Sequence, residues 1–557
     1  MAAGATDCDV LIFGGGLAGL TASRQLKLMR PETDVVVIEK REHPVPEAAY
    51  KVGESVAEIG AHYLKDLVDF KHHMEEQQLR KFSLRIFSPN GDNKDIAIRP
   101  ELGLHKVWSN RTYQIDRGRL ENALAEEAPG MGVNLLDGHS VSSFELGDDR
   151  HSVTVRQNGT TKEFRPRWIM DCSGRAGILR KHLKLGVEIP HDVNACWFRL
   201  ELTPDRKIDS WSDDEGWRAR VPNGRRWVST NHLVGEGYWI WMIPLPSDSI
   251  SIGVVADPKF VPFERIRRYP EVLEFLNEFE PQLASKLPDS EDGLMDFRKL
   301  KNYAYGARRG LSPQRWCLTG EAGLFLDPLY ATGLDFVAVS NTLATRLICE
   351  HLSGEAEADF RRRLKIYNST YLGQFMGWGP AFAGQYEVFR DGVTTQSKVI
   401  WDNVLYFMYP SLLGLQDYLT DHEFVAKVRD IFKPHYELNV WMQQRFRELC
   451  QDDCDVRQAG FAAATDHTVE EMFLKGNQKL SKDEVEEIIR HNVRRMRDIS
   501  EEMLTRLYGA CGKPVPDGPW QQIEGGTGED LIHWTPYERK TSLPSQTDPP
   551  PDTYMVQ

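Results

Sequence analysis

The chain has 557 residues, with 68 Lys plus Arg against 82 Asp plus Glu, a formal net charge of −14. Hydrophobic residues at 41% and charged residues at 27% exclude wholesale disorder. The acidic balance argues against a nucleic-acid partner, which needs an electropositive face against phosphate, and at roughly 100–200 residues per domain the length implies two to four domains or one elaborated core.

The eight cysteines are sparse and show neither a CxxC pair nor zinc-ligand spacing. They read as free thiols of a reducing, cytoplasmic protein without a metal site. The first strand pattern begins near Cys8, which leaves no signal peptide. No run of about 18 apolar residues is long enough to span a bilayer.

Residues 8–13 read as a buried strand, followed at once by Gly14, Gly15, Gly16 and Gly19 and then by an apolar helix through Leu26. A second buried strand, Val35–Ile38, ends at Glu39. This is a βαβ unit with Gly14-x-Gly16-x-x-Gly19 at its first turn and an acidic residue 20 positions past Gly19. The first glycine allows the turn, the second lets backbone approach a pyrophosphate, and the third lets the helix pack on the strand. The phosphates then lie at the positive end of the helix dipole. Glu39 suits ribose hydroxyls and disfavours a 2′-phosphate, hence NADP.

From about 82 to 300 the pattern is strand-like and turn-rich, with apolar runs at 167–171, 196–202 and 238–256. A strand at 316–319 gives way to Gly320 and a long apolar helix, and 355–510 is dominantly helical. The clearest helix spans about 482–508. Ser481 and Glu484 form its capping box; Val485, Ile488, Ile489, Val493, Met496, Ile499 and Met503 make one apolar stripe; Gly509 is its expected stop. The last residues, rich in Pro and Gly, read as an extended tail.

Two later segments, Asp171-Cys172-Ser173-Gly174-Arg175 and Gly320-Glu321-Ala322-Gly323, each follow a strand. A second glycine turn there resembles FAD-dependent aromatic hydroxylases, in which the late carboxylate, here Glu321, binds the ribityl chain. FAD is therefore the expected dinucleotide. Three further segments resemble flavin-dependent halogenases of the phenol-acting type. Trp239-Ile240-Trp241-Met242-Ile243-Pro244 matches the WxWxIP signature. Phe325-Leu326-Asp327-Pro328-Leu329-Tyr330-Ala331-Thr332-Gly333 resembles the FxxPxxSxG element, with Ala331 replacing the usual Ser. Leu79-Arg80-Lys81-Phe82-Ser83-Leu84-Arg85-Ile86 resembles the strand that carries the catalytic lysine, here Lys81. Strand alternation would point Lys81 and Ser83 to one face, opposite Phe82 and Leu84. Tyr113–Leu120 and Ser229–Leu233 add weaker matches.

The resemblance covers roughly the first 350 residues. It implies an α/β fold with a Rossmann-like FAD-binding core over 1–190 and 300–350, and a β-sheet domain over 191–299. A helical substrate-covering region follows over 351–511, and a tail over 512–557. It assigns Gly14, Gly16, Gly19, Glu39, Lys40, Gly53, Glu54, Ser55, Arg117, Asp171, Gly320, Glu321 and Leu334 to the cofactor, and the backbone of Thr332 and Gly333 to halide. Tyr330, His232, Trp239 and Trp241 fall on the substrate side. Tyr330 stands where tryptophan-specific members carry Glu, and His232 is a candidate for deprotonating a phenol. The implied reaction uses reduced FAD, O2 and halide to make hypohalous acid, which Lys81 delivers to an electron-rich, phenolic ring, free or carrier-tethered. With no separate nicotinamide domain, a partner flavin reductase is expected, in a monomer or homodimer without membrane contact. The alternatives are a flavin monooxygenase or oxidoreductase without halogenation and a non-catalytic binding protein on the same fold. The intact Gly14/Gly16/Gly19 turn and Glu39 speak against the second.

Overall fold

The computed structural model describes residues 5–48, 51–104, 112–221, 223–451, 461–463, 472 and 475–524. Most of the expected C-terminal tail lies outside the described residues.

Two sheets organise the chain. The first is built on parallel strands ordered Trp316–Leu318, Thr160–Asp171, Thr6–Phe13, Val35–Ile38 and Val133–Leu136. Val10 sits opposite both Trp168 and Val35, and Val35 opposite Val133. The fully buried run Val35–Ile38 is uniformly apolar because both faces of a parallel sheet are covered. The first strand starts at Thr6, two residues before the expected Cys8.

The second sheet runs Asp296–Leu300, Asn194–Glu201, Ser249–Ala256, Tyr238–Leu245, Thr230–Gly235, Leu84–Phe87, Glu101–Gly103 and Phe461–Ala463. It therefore recruits strands from 84–103 and 461–463 as well as from the 191–299 segment. The Trp239/Trp241 strand is buried along its whole length. Trp241 faces Gly253 across the ladder, where a Cβ would stand 2.1 Å from the indole; the glycine makes room for the ring. The strand at Lys81 differs from expectation. Pairing stops after Leu79–Lys81 and resumes at Leu84. The intervening Phe82 N–H donates to the Val228 carbonyl (3.0 Å), so the chain changes partners there. The 81–86 segment is not one alternating strand.

The helical part comprises Thr332–Leu352, Glu357–Phe382, Gly392–Met408, His422–Gln451 and Lys482–Ala510. Asp391 caps the third by accepting from the N–H groups of Val393 and Thr394. The Ser481/Glu484 capping box is formed. The stripe is buried at Val485, Ile489, Met496, Ile499 and Met503, and only partly so at Ile488 and Val493. Gly509 is not the stop: the helix runs through Ala510, and the left-handed glycine is Gly512 (φ 63°). Six cysteines are buried free thiols, but Cys511 is disulfide-bonded, which corrects the expectation of free thiols throughout. It lies at the helix C-cap, partly buried and packed against the core.

A buried ion cluster fastens the second sheet at its Lys81 end. Glu101 accepts from Arg85 (2.5 Å) and Arg226 (2.8 Å), all three fully buried. Removing one partner from such a group strands the remaining charges in a low-dielectric interior. Glu101→Ala is expected to lower unfolding stability by about 3–5 kcal/mol, read as an earlier denaturant midpoint. An unshifted midpoint would show that solvent reaches Arg85 and Arg226.

Candidate active site

A cavity of about 590 Å³ opens between the two sheets, a size typical of small-molecule sites. The glycine turn forms one end, and each glycine there has a different constraint. Gly14 has φ 102°, and a Cβ on it would lie 2.5 Å from the Cys172 carbonyl oxygen. A Cβ on Gly19 would lie 1.9 Å from the Gly14 carbonyl oxygen. Gly16 meets only side-chain tips, Lys51 Nζ at 3.8 Å and Glu121 Oε1 at 4.0 Å, and faces the cavity.

The helix that starts at Leu17 leaves backbone N–H groups toward this space. Glu121 takes one of them, accepting from the Leu17 N–H at 3.2 Å. It also pairs with Lys51 and with Arg117 (2.8 Å), whose positive charges hold its carboxyl below the usual range against the cost of burial. A helix N-terminus with two cations fits a pyrophosphate. At the next strand end, Glu39 accepts from the Gly15 N–H (2.7 Å) and the Arg41 N–H (2.9 Å). Lys40, Gly53, Glu54, Ser55, Arg117, Glu321 and Leu334 also line the cavity. Burial raises the Glu321 carboxyl, while Arg175, Arg117 and Lys51 oppose the shift. The donor set and the open face of Gly16 fit a flavin dinucleotide.

Three residues assigned to the cofactor do not reach the cavity. Gly19 holds the turn against its helix. Asp171 is fully buried and spends its carboxylate on the Ser173 N–H and hydroxyl and the Leu179 N–H. Gly320 adopts φ 53°, close to Val337, and donates its N–H to Ser340. These residues shape the walls.

A second cavity, of about 110 Å³, lies beside the first and is lined by Glu58, Lys81, Tyr330, Asp335, Trp378 and Tyr406 among others. The segment between Pro328 and Asp335 is shared. Pro328, Ala331, Gly333 and Leu334 face the large cavity, and Tyr330, Thr332 and Asp335 the small one. The segment enters the Thr332–Leu352 helix through left-handed backbone at two consecutive residues, Tyr330 (φ 67°) and Ala331 (φ 60°). The first turn of that helix leaves the N–H groups of Thr332 and Gly333 without helical acceptors. No atom lies within 4 Å of a Cβ built on Gly333, so its face toward the large cavity is open.

Lys81 bridges the partition. Its ammonium donates to the Val56 carbonyl at 2.7 Å and to Ser55 Oγ at 3.3 Å. Ser55 lines the large cavity and Lys81 the small one. Burial lowers the Lys81 pKa, and the charges of Glu58 and Asp335 oppose that shift. His232, Trp239 and Trp241 line the large cavity, not the Lys81 cavity, which the same sheet reaches through Leu84, Ile86 and Leu102. His232 packs on Trp239 with ring centroids 5.2 Å apart, and burial pushes its pKa down to about 3. Burial thus favours its neutral form.

Tyr330 is tethered from the helical region. Its hydroxyl donates to Asp402 (2.8 Å), which also accepts from the buried Lys398 (2.5 Å) and from Gln443 (2.7 Å). The sequence reading missed this network, together with Glu58, Asp335, Tyr406, Lys51 and Glu121. The spacing Glu54-Ser55-x-x-Glu58 was the only local signal.

Residues 7–218 match the FAD binding domain family. The flavin-dependent halogenase chlA of Dictyostelium discoideum is 27% identical over 398 residues, 65% of this chain and 63% of that protein. The tryptophan 2-halogenase of Chondromyces crocatus is 24% identical over 389 residues, 68% of each chain. This chain thus spans under two thirds of the first of these relatives. Among solved structures, halogenase PltM in complex with phloroglucinol and FAD superposes with a TM-score of 0.59 at 15% identity, covering 88% of this chain and 96% of that one. At that identity the likeness shows the fold.

The glycine constraints predict distinct outcomes. Gly16→Ala should leave the fold intact and weaken FAD binding about tenfold or more, whereas Gly19→Ala should destabilise the core itself. Flavin fluorescence quenching and thermal unfolding separate the two. Unchanged FAD affinity in the Gly16 variant would place the phosphates elsewhere.

Proposed function

We propose that this chain, which is similar to flavin-dependent halogenases, is one of them and halogenates an electron-rich, phenolic ring in the Lys81 cavity, using an oxidant generated in the large one. The observation that carries this reading is the position of Lys81, whose ammonium reaches the wall of the large cavity while its side chain lines the small one.

When bound, reduced FAD with O2 and halide supplies an electrophilic halogen as hypohalous acid. The residues of this chain do the rest. The Thr332 and Gly333 N–H groups, at the positive end of a 21-residue helix, hold halide. A chain of net charge −14 repels anions overall, so capture must be local. Lys81 donates a hydrogen bond to hypohalous acid and polarises its O–X bond, and its water-poor position strengthens that bond. Tyr330, Trp378 and Tyr406 wall the ring site, with centroids 6.1 Å (Tyr330–Trp378) and 6.0 Å (Trp378–Tyr406) apart. A phenol activates its own ring once its proton is shared, so a Glu at position 330 is not needed. The phloroglucinol held by the PltM fold relative belongs to the same substrate class. A separate reductase supplies reduced flavin.

Lys81→Ala is expected to abolish halogenated product while leaving FAD binding and flavin reoxidation nearly unchanged, because the lysine acts after the flavin step. The assay is product mass with reduced FAD, O2, bromide and a panel of phenols. Gain of oxygen without halogen by the unsubstituted chain would favour a monooxygenase instead. Ala331→Ser should leave activity equal or higher, and a sharp loss would mean that this loop does not hold halide.

A further inference from the structure

The small cavity holds a carboxylate that the proposed reaction has not used. Its ionisable neighbours are largely committed. Asp335 accepts from the Gly60 N–H and the Tyr406 hydroxyl, both at 2.8 Å. The Tyr406 hydroxyl accepts from the Ile59 N–H at 3.2 Å. The Tyr330 hydroxyl donates to Asp402, and the Lys81 ammonium to Val56 and Ser55. Glu58, first residue of the short Glu58–His62 helix, lines the same cavity. It lies close enough to Lys81, Asp335 and Tyr406 for their charges and hydroxyl to act on it. The cavity thus presents a cation and a carboxylate that are not paired with each other by any recorded contact among the described residues. Phe82, Trp378 and Phe407 complete an aromatic lining between them.

We propose that Glu58 is the general base that takes the hydroxyl proton of a phenol held between it and Lys81, with Asp335 and Tyr406 positioning it. The proposal rests on the halogenase reading. The phenol proton passes to the Glu58 carboxylate. A ring carbon ortho or para to the oxyanion forms a bond to halogen as the O–X bond of hypohalous acid breaks. The released hydroxide takes a proton from the Lys81 ammonium and leaves as water. The ring C–H proton then goes to the Lys81 amine, and Glu58 returns its proton to the oxygen. The sum is phenol plus hypohalous acid giving halophenol plus water. Burial raises the Glu58 carboxyl while Lys81 opposes it, and Asp335 is pushed up to about 7. A carboxyl raised by burial holds a proton more strongly, as a base toward a phenol requires. The groups facing Glu58 are Lys81, Asp335 from the Thr332–Leu352 helix and Tyr406 from the Gly392–Met408 helix.

The test compares Glu58→Gln and Glu58→Asp with the unsubstituted holoenzyme on phenol and on 4-nitrophenol, at a mildly alkaline pH where only the second is ionised in solution. Glu58→Gln should lower kcat/KM for phenol about 10²-fold but for 4-nitrophenol less than about tenfold. Phenol affinity in the oxidised holoenzyme, and hypohalous acid captured by a scavenger without phenol, should be unchanged. Glu58→Asp should restore part of the loss and exclude misfolding as its cause. Equal losses on both phenols, or no loss on phenol, would overturn the role of Glu58 alone. No halogenated product and no captured oxidant from the unsubstituted chain would overturn the halogenase reading and this proposal with it.

Discussion

The arrangement depends on a local violation of backbone preference. Tyr330 and Ala331 both occupy the left-handed region, which costs side-chain-bearing residues of order 1–3 kcal/mol each. Neighbours hold them there. Asp327 fixes the entry by accepting from the Leu329 N–H (2.9 Å), His191 (2.6 Å) and Tyr386 (2.5 Å). Asp402 holds the Tyr330 hydroxyl, with Lys398 and Gln443 converging on the same carboxylate.

The helical region therefore does more than cover the sheets. Lys398 and Asp402, one turn apart on the Gly392–Met408 helix, are fully buried and reach the kink from outside the flavin core. A buried pair of this kind contributes little net stability, and its observed effect is to fix one side chain, Tyr330, in a wall. Glu101 with Arg85 and Arg226 joins two strands of the second sheet to the short helix at 226–228.

What the amino-acid pattern revealed was local. The Gly14/Gly16/Gly19 turn, the second strand ending at Glu39 and the Trp239/Trp241 strand are contiguous segments whose residue types state their own environment. Lys81 was singled out by resemblance, but its surroundings were not. Phe82 leaves the ladder to bond Val228, which defeats alternation as a guide to Ser83. Glu58, Asp335 and Tyr406 come together from three separate helices, and Glu121 meets Lys51 and Leu17 across 70 and 104 residues. Such convergence leaves no periodic trace. His232, Trp239 and Trp241, expected on the substrate side, line the larger cavity: a strand's faces are legible, but not what another sheet sets against them.

The partition crossed by Lys81 has a kinetic consequence. If oxidant arises on one side and is consumed on the other, the two half-reactions need not be simultaneous, and the molecule can be charged before an acceptor arrives. The residence time of the electrophile in the passage, compared with its escape, then sets how much reductant ends as carbon–halogen bond. Changes to Ser55, Val56 or Ala331, none of which need touch the acceptor, would alter that yield without altering how fast either half-reaction runs. Economy of reducing equivalents would then be a property of the wall, written apart from both the flavin pocket and the ring pocket.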